Sequence, residues 1–219
     1  MSGLPQGPIL VCFAVKEEAA PLRRGLPPNV TILVTGMGAA AAERAVKAKL
    51  AADAWSLVLT CGFAGALNST LRLGTVVCDT DEAFPLRQAL LDAGAVAARF
   101  HCAERVAVTG YEKAMLRERT GADAVEMESD IIRQLCRERG IPSATVRAIS
   151  DTAQEDLPLD FNALVNADGK LSLGKLARSV LRRPRKIPAL IALGRHSKLA
   201  ARRLAAVLRA VLARPNALP

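Results

Sequence analysis

The fold this sequence predicts is a three-layer α/β sandwich around a central mixed, largely parallel sheet. Three observations carry that expectation. Across the first 150 residues, short β-branched apolar runs alternate with Ala- and Leu-rich stretches of helical spacing, the pattern of successive strand and helix units. The 219-residue length suits one sizeable core, and 51% hydrophobic residues favour a packed globule over disorder. Gly-rich turns follow several of the apolar runs, where a strand must hand its chain sharply to the next element.

The elements can be justified in order. "PILVCFAV" is a first strand over 8–15; it has no basic stretch before it and no small-residue cleavage site after it, so it does not read as a secretory signal. Further strands are expected near 30–34, 56–61, 74–79, 104–109, 122–126 and 143–149, and helices near 16–24, 38–53, 86–94, 111–119 and 128–139. From residue 159 the character changes. "DFNALVNADGKLSLGKLARSVL" has helical spacing, and "RRPRK" with Pro184 and Pro188 is a breaker. Residues 197–213 then repeat Leu204, Val207, Leu208, Val211 and Leu212 at helical intervals, with Arg195, Lys198, Arg202 and Arg209 on another face. That is an amphipathic basic helix. The chain is therefore read as a main body over 1–169 and a basic helical extension over 170–219, packed on it or tethered to it.

Composition excludes several classes of function. No apolar stretch approaches the roughly 18 residues of a membrane span. The five cysteines are widely spaced without a CxxC pair, which argues against a disulfide framework or a zinc site and makes a reducing cytoplasm the natural setting. With two histidines, His101 and His196, a His-based triad or metal cluster has little material, and no metal is expected. Acid–base chemistry falls to carboxylates. The net charge of +9 is uneven: residues 170–219 hold 13 of the 30 Lys and Arg and no acid, leaving 17 basic against 21 acidic residues before them.

Ligands in open α/β sheets gather at the carboxyl ends of strands, and four such ends carry candidates. "KEEAAPLRR" places Glu17 and Glu18 at a helix start, "TGMGAAAAERA" brings Gly36 and Gly38, "TCGFAGALN" is again Gly-rich, and "ATVRAISDTA" delivers Asp151 after Ser150. A fifth stretch, "AVEMESDIIRQLCRERG", sets Glu126 and Glu128 around Met127 where a strand passes into a helix. Taken singly, Glu18 and Glu128 read as helix-start acids favoured by the dipole, and Asp151 as an N-cap.

Together these stretches resemble the purine nucleoside phosphorylase/nucleosidase superfamily, in particular its methylthioadenosine/adenosylhomocysteine nucleosidase branch. The matching pieces occur in the family's order over residues 8–165: "AVKEEAAPL", "TGMGAAAA", "TCGFAGAL", "AVEMES" and "RAISDTA". The resemblance implies a phosphorylase/hydrolase-like sandwich. It also implies that Glu128 holds the ribose hydroxyls, that Met127 packs beneath the sugar, and that Phe63, Ala64 and Gly65 border the nucleoside. Asp151 is implied to protonate the leaving purine at N7, Glu18 to activate water, and Phe161 to lie beside the base. Glu126 is the least settled of the acids. Those roles suit the chemistry, because cleaving an N-glycosidic bond builds positive charge on the ribose and negative charge on the departing purine.

Water or inorganic phosphate would be the co-substrate, with no cofactor. Phosphorolytic relatives hold phosphate with arginines, and the position matching one of them is Leu57, while the first loop offers Glu18. Hydrolysis is favoured on that ground. Against it, Gly36, Gly38 and Thr60 remain candidates for receiving an anion. The stretch before "AVEMES" lacks the aromatic-rich lid segment of the usual nucleosidases, leaving Tyr111 as a candidate base-stacking replacement.

A short lid and a basic C-terminus suit a bulky or lipidic 5′ substituent. In this the chain looks like the hopanoid-associated phosphorylase group, which is implied to release adenine from adenosylhopane. The alternatives are a soluble methylthioadenosine, adenosylhomocysteine or futalosine nucleosidase, and a non-catalytic nucleoside-binding module. For the basic helix the readings are packing on its own core, an oligomer contact, or attachment to the anionic inner face of the cell membrane. Nucleic acid is not expected, given the single Tyr and Trp and the absence of a binding motif. A homo-oligomer is the family expectation.

Overall fold

The computed structural model describes residues 7–164, 166, 174 and 184–213. In chain order these form β1 (Ile9–Phe13), α1 (Lys16–Ala19), β2 (Val30–Val34), α2 (Ala39–Ala52), β3 (Leu57–Ala66), β4 (Val76–Asp79), α3 (Arg87–Asp92), β5 (Val96–Ala97), β6 (Phe100–Cys102), α4 (Gly110–Thr120), β7 (Ala124–Glu126), α5 (Ser129–Arg137), β8 (Ser143–Asp151) and α6 (Ile187–Leu212). The strands make one sheet of order β2-β1-β3-β8-β4-β5, with β7 joined to the end of β3 and β6 joined to β7. The β4–β8 and β3–β7 pairs are antiparallel, and the others are parallel. The sheet is mixed and largely parallel, as expected.

β1 and β8 are buried at every residue, which is why they read as continuous apolar runs and not as alternating ones. Alternate side chains still serve different layers. Ile9, Val11, Phe13, Leu57 and Leu59 face a core completed by Ala200, Leu204, Leu208 and Val211 of α6. Leu10, Cys12 and Val58 face the other layer, closed by Val46 and Leu50 of α2 and by Ile132 and Leu135 of α5. Each fully buried Leu stabilises the fold by about 1.5–3 kcal/mol, so the second half of α6 is a structural part of the sandwich.

Several boundaries differ from expectation for identifiable reasons. The strand expected at 104–109 is instead β6, and Val106 lies in a loop whose backbone N–H donates to Asn162 Oδ1 at 2.8 Å. β5 has only two residues, both exposed, too short to leave a periodic signal. α1 ends at Ala19, because Pro21 lacks the N–H that another turn requires. Pro188 opens α6 from its first turn, the helical position that tolerates proline. The helical reading of 159–181 lies mostly outside the described residues, as does the boundary at 169–170.

β3 and β8 run past β1 toward one end of the sheet, and their register shifts there. Ala64 lies opposite Ile149 but Gly65 opposite Asp151, so Ser150 is the extra residue of a bulge. Bulges re-aim side chains beside sites, and this one turns Ser150 and Asp151 toward a cavity.

Candidate active site

At the strand ends lies a cavity of about 240 Å³ whose wall includes Glu18, Phe63, Ala64, Gly65, Glu126, Met127, Glu128, Asp151 and Phe161. Five separate stretches of sequence meet there. Glu18 arrives on the single turn of α1, with its carboxylate folded back onto the backbone. Oε2 accepts N–H bonds from Ala14 at 3.0 Å and Val15 at 3.1 Å, and Oε1 accepts one from Phe63 at 2.8 Å. Burial, opposed by Arg147 and reinforced by nearby Glu128, pushes its pKa up to about 7, into the range of a base working near neutrality.

Glu126 and Glu128 have separate tasks. Glu126 accepts from the backbone N–H groups of Glu128 at 3.0 Å and Ser129 at 2.9 Å, and from the Ser129 hydroxyl at 2.6 Å. It thereby caps the start of α5. Burial works against its charge, but the Arg147 guanidinium and these hydrogen bonds more than offset that and hold its carboxyl below the usual range. Glu128 accepts from the Gly38 N–H at 2.8 Å and from Arg147 at 3.3 Å. Burial, opposed by Arg147 and helped by Glu126, raises its pKa.

Arg147 is the centre of this charge cluster. From the buried middle of β8 it contacts Glu126 and Glu128, and donates to Thr60 Oγ1 and the Cys61 carbonyl, each at 3.2 Å. Burial disfavours its charge, yet Glu126, Glu128 and Glu18 together raise its pKa above the ordinary arginine value. At the opposite wall, Ser150 Oγ donates to Asp151 Oδ1 at 2.7 Å, and Lys113 Nζ of α4 lies 2.6 Å from Asp151 Oδ2.

Two groups of expected residues fall outside the cavity. Tyr111 is 75% exposed at the start of α4 and does not line the cavity, so it is not placed to stack on a base held there. The anion loop is also corrected. The Gly38 N–H is given to Glu128, the Gly36 N–H to the Ala14 carbonyl at 3.0 Å, and buried Thr60 is engaged by Arg147. Among the described residues, no group of three or more His, Cys, Asp or Glu side chains is placed to hold a metal.

Other residues at the site escaped the sequence reading. Arg147 left a signal, as a lone charge within the buried run "SATVRAIS". Lys113 left none, because "YEKAMLRERT" looks like any solvated helix. Leu193 and Ser197 of α6 also line the cavity, from a segment about 40 residues beyond the last motif.

Residues 96–182 match the family model of the phosphorylase superfamily. Within this chain a 53-residue stretch is 40% identical to the 5′-methylthioadenosine/S-adenosylhomocysteine nucleosidase of Shewanella oneidensis, covering 24% of this chain and 22% of that protein. A 53-residue stretch is 38% identical to the nucleosidase of the same name from Shewanella putrefaciens, covering 24% and 23%. The match thus spans less than a quarter of the length of these curated relatives. Solved structures share the fold over nearly the whole chain. Futalosine hydrolase of Helicobacter pylori superposes with a TM-score of 0.70 at 16% identity, covering 94% of this chain and 97% of that one. The Neisseria meningitidis 5′-methylthioadenosine/S-adenosylhomocysteine nucleosidase in complex with methylthio-immucillin-A gives 0.67 at 20%, covering 93% and 97%.

Proposed function

We propose that this chain is a nucleosidase that cleaves the N-glycosidic bond of an adenine nucleoside with water. The observation that carries the reading is the convergence of Glu18, Glu128 and Asp151 on one cavity. In this reading Glu18, pinned by three backbone N–H groups, takes a proton from water as it attacks the sugar. Glu128 accepts hydrogen bonds from the ribose hydroxyls over the Met127 floor, Asp151 gives a proton to purine N7, and Phe161 lies beside the base. Positive charge developing on the ribose is stabilised by the surrounding carboxylates.

Arg147 favours water over phosphate. Its guanidinium is engaged by Glu126, Glu128, Thr60 and Cys61, and an entering phosphate would meet the Glu18 and Glu128 carboxylates first. The names of the relatives, nucleosidases and a hydrolase, agree.

For the substrate, we propose an adenine nucleoside with a bulky apolar 5′ substituent of the adenosylhopane type. Support comes from the apolar wall of Val106, Leu157 and Leu193, and from the first turns of α6, where Ile187 and Ile191 are exposed beside Arg185 and Lys186. Residues 184–213 contain no acid, which suits contact with an anionic membrane face. No helix of the described residues is long and apolar enough to cross a membrane. The apolar stripe of 200–212 is spent on the core, so among the described residues of α6 it is the first turns, before Ala200, that are left to meet lipid. A second reading, cleavage of methylthioadenosine, adenosylhomocysteine or futalosine, is favoured by the similarity to nucleosidases of those names.

Adenine release from adenosylhopane, adenosylhomocysteine and methylthioadenosine, each with and without phosphate, tests both levels. Phosphate-independent release is expected, fastest from the apolar substrate. Formation of a sugar 1-phosphate would overturn hydrolysis, and a preference for methylthioadenosine would overturn the bulky substituent. Ile187→Glu with Ile191→Glu should lower binding to vesicles containing anionic lipid, and equal binding would overturn the membrane contact.

A further inference from the structure

We propose that Lys113 is a positioning residue for the leaving-group acid: its buried ammonium orients Asp151 and balances the negative charge left there when the proton passes to the purine. This rests on the nucleoside-cleavage reading above. Lys113 is fully buried on α4, and its Nζ has three acceptors for its three protons. These are Asp151 Oδ2 at 2.6 Å and the backbone carbonyls of Thr152 and Glu155, each at 2.8 Å. Burying an ammonium is costly unless it is paired and fully hydrogen-bonded. Tying α4 to the 152–155 turn needs only a neutral donor, so the charge points to Asp151.

The geometry gives the two oxygens of Asp151 different work. Oδ2 is held by Lys113, which does not line the cavity, and Oδ1 is held by Ser150, which does. Gly65, which also lines the cavity, leaves room for this carboxylate, since a Cβ there would come within 2.9 Å of Oδ2. With Oδ2 bound by the Lys113 ammonium, Oδ1 is the oxygen that carries the proton given to the base. In the step, the proton on Oδ1 moves to purine N7 and the C1′–N9 electron pair leaves with the purine. Asp151 becomes a carboxylate facing the Lys113 ammonium, which keeps all three of its protons. Water supplies the new bond at C1′, and Glu18 takes the proton that water loses.

Steady-state kinetics on Lys113→Met and Lys113→Arg, with thermal melting as a check of folding, test the proposal. The expected result is a kcat roughly 10- to 100-fold lower in Lys113→Met, less than the roughly 100- to 10,000-fold that a general acid itself contributes, with KM changed by less than about threefold. Lys113→Arg, which keeps the charge, should turn over faster than the neutral variant. Should Lys113→Met not fold, Lys113→Gln takes its place, as it keeps a donor for the carbonyls without the charge. A folded neutral variant as fast as wild type, or no slower than Lys113→Arg, overturns the proposal, as does a loss that falls mainly on KM. Wild-type protein that releases base from no purine nucleoside would instead end the nucleoside reading itself.

Discussion

Arg147, in the middle of β8, holds the Glu126 carboxylate at the end of β7, with both side chains almost wholly buried. Removing the cation would leave Glu126 and Glu128 facing each other without compensation. Arg147→Met should therefore destabilise the protein by about 3–5 kcal/mol, the range for breaking a buried pair on one side. Urea denaturation reads this directly, and adding Glu126→Gln should restore part of the loss if the two residues are coupled.

Glu18 should set the acidic limb of activity. Its pKa, raised by burial to about 7, predicts that kcat/KM rises with pH through about 7, and that Glu18→Gln abolishes turnover. The same shift costs stability in the opposite direction. Below pH 4.5 both folded and unfolded chains carry the proton; between 4.5 and 7 the unfolded chain releases it and the folded one does not. Stability contributed by this group is thus full at low pH and lost as pH rises through 7, by about 3 kcal/mol in total. Denaturation midpoints of wild type and Glu18→Gln across that window should converge or cross accordingly.

Gly62 stands where two pinned side chains leave no room. Its φ is +149°, and a Cβ there would lie 2.6 Å from Arg147 Nη1 and 2.7 Å from Glu18 Oε1. Gly62→Ala should displace both and lower kcat/KM about 100-fold, the scale of loss for a misplacement of around 1 Å. Gly194→Ala is the contrast. It is a helical position in α6 with nothing near its Cβ, and should stabilise by about 0.5–1 kcal/mol without changing activity.

Much of this was legible in the sequence, for a physical reason. Strands buried on both faces announce themselves as apolar runs, and Glu18, Glu128 and Asp151 sit at their ends, where the topology must converge. What escaped depended on contacts between distant segments. Lys113 acquires its meaning only because α4 packs against the 152–155 turn. Gly36, Gly38 and Thr60 resembled an anion loop until Ala14, Glu128 and Arg147 claimed their polar groups. The stripe of Leu204 and Leu208 has the same periodicity whether it meets lipid or a sheet, and the sheet takes it.

Phe161 and Tyr111 provide a test of where the base lies. Phe161 lines the cavity, whereas Tyr111 projects into solvent. Phe161→Ala should raise KM about tenfold, equivalent to about 1.4 kcal/mol of binding, while Tyr111→Ala should leave both kcat and KM unchanged. A KM effect confined to Tyr111→Ala would reverse the assignment.

α6 joins two duties along one rod. Residues 200–212 anchor it in the core, while Leu193 and Ser197 border the cavity and Ile187 and Ile191 extend beyond the core into solvent. Substitutions in the first three turns can therefore remodel what the cavity admits without disturbing the carboxylates, which are carried by the sheet, α1 and the start of α5. The arrangement resembles an exchangeable tool head on a fixed handle. It offers a route by which one set of carboxylates acquires new substrates through changes in a dozen helical residues.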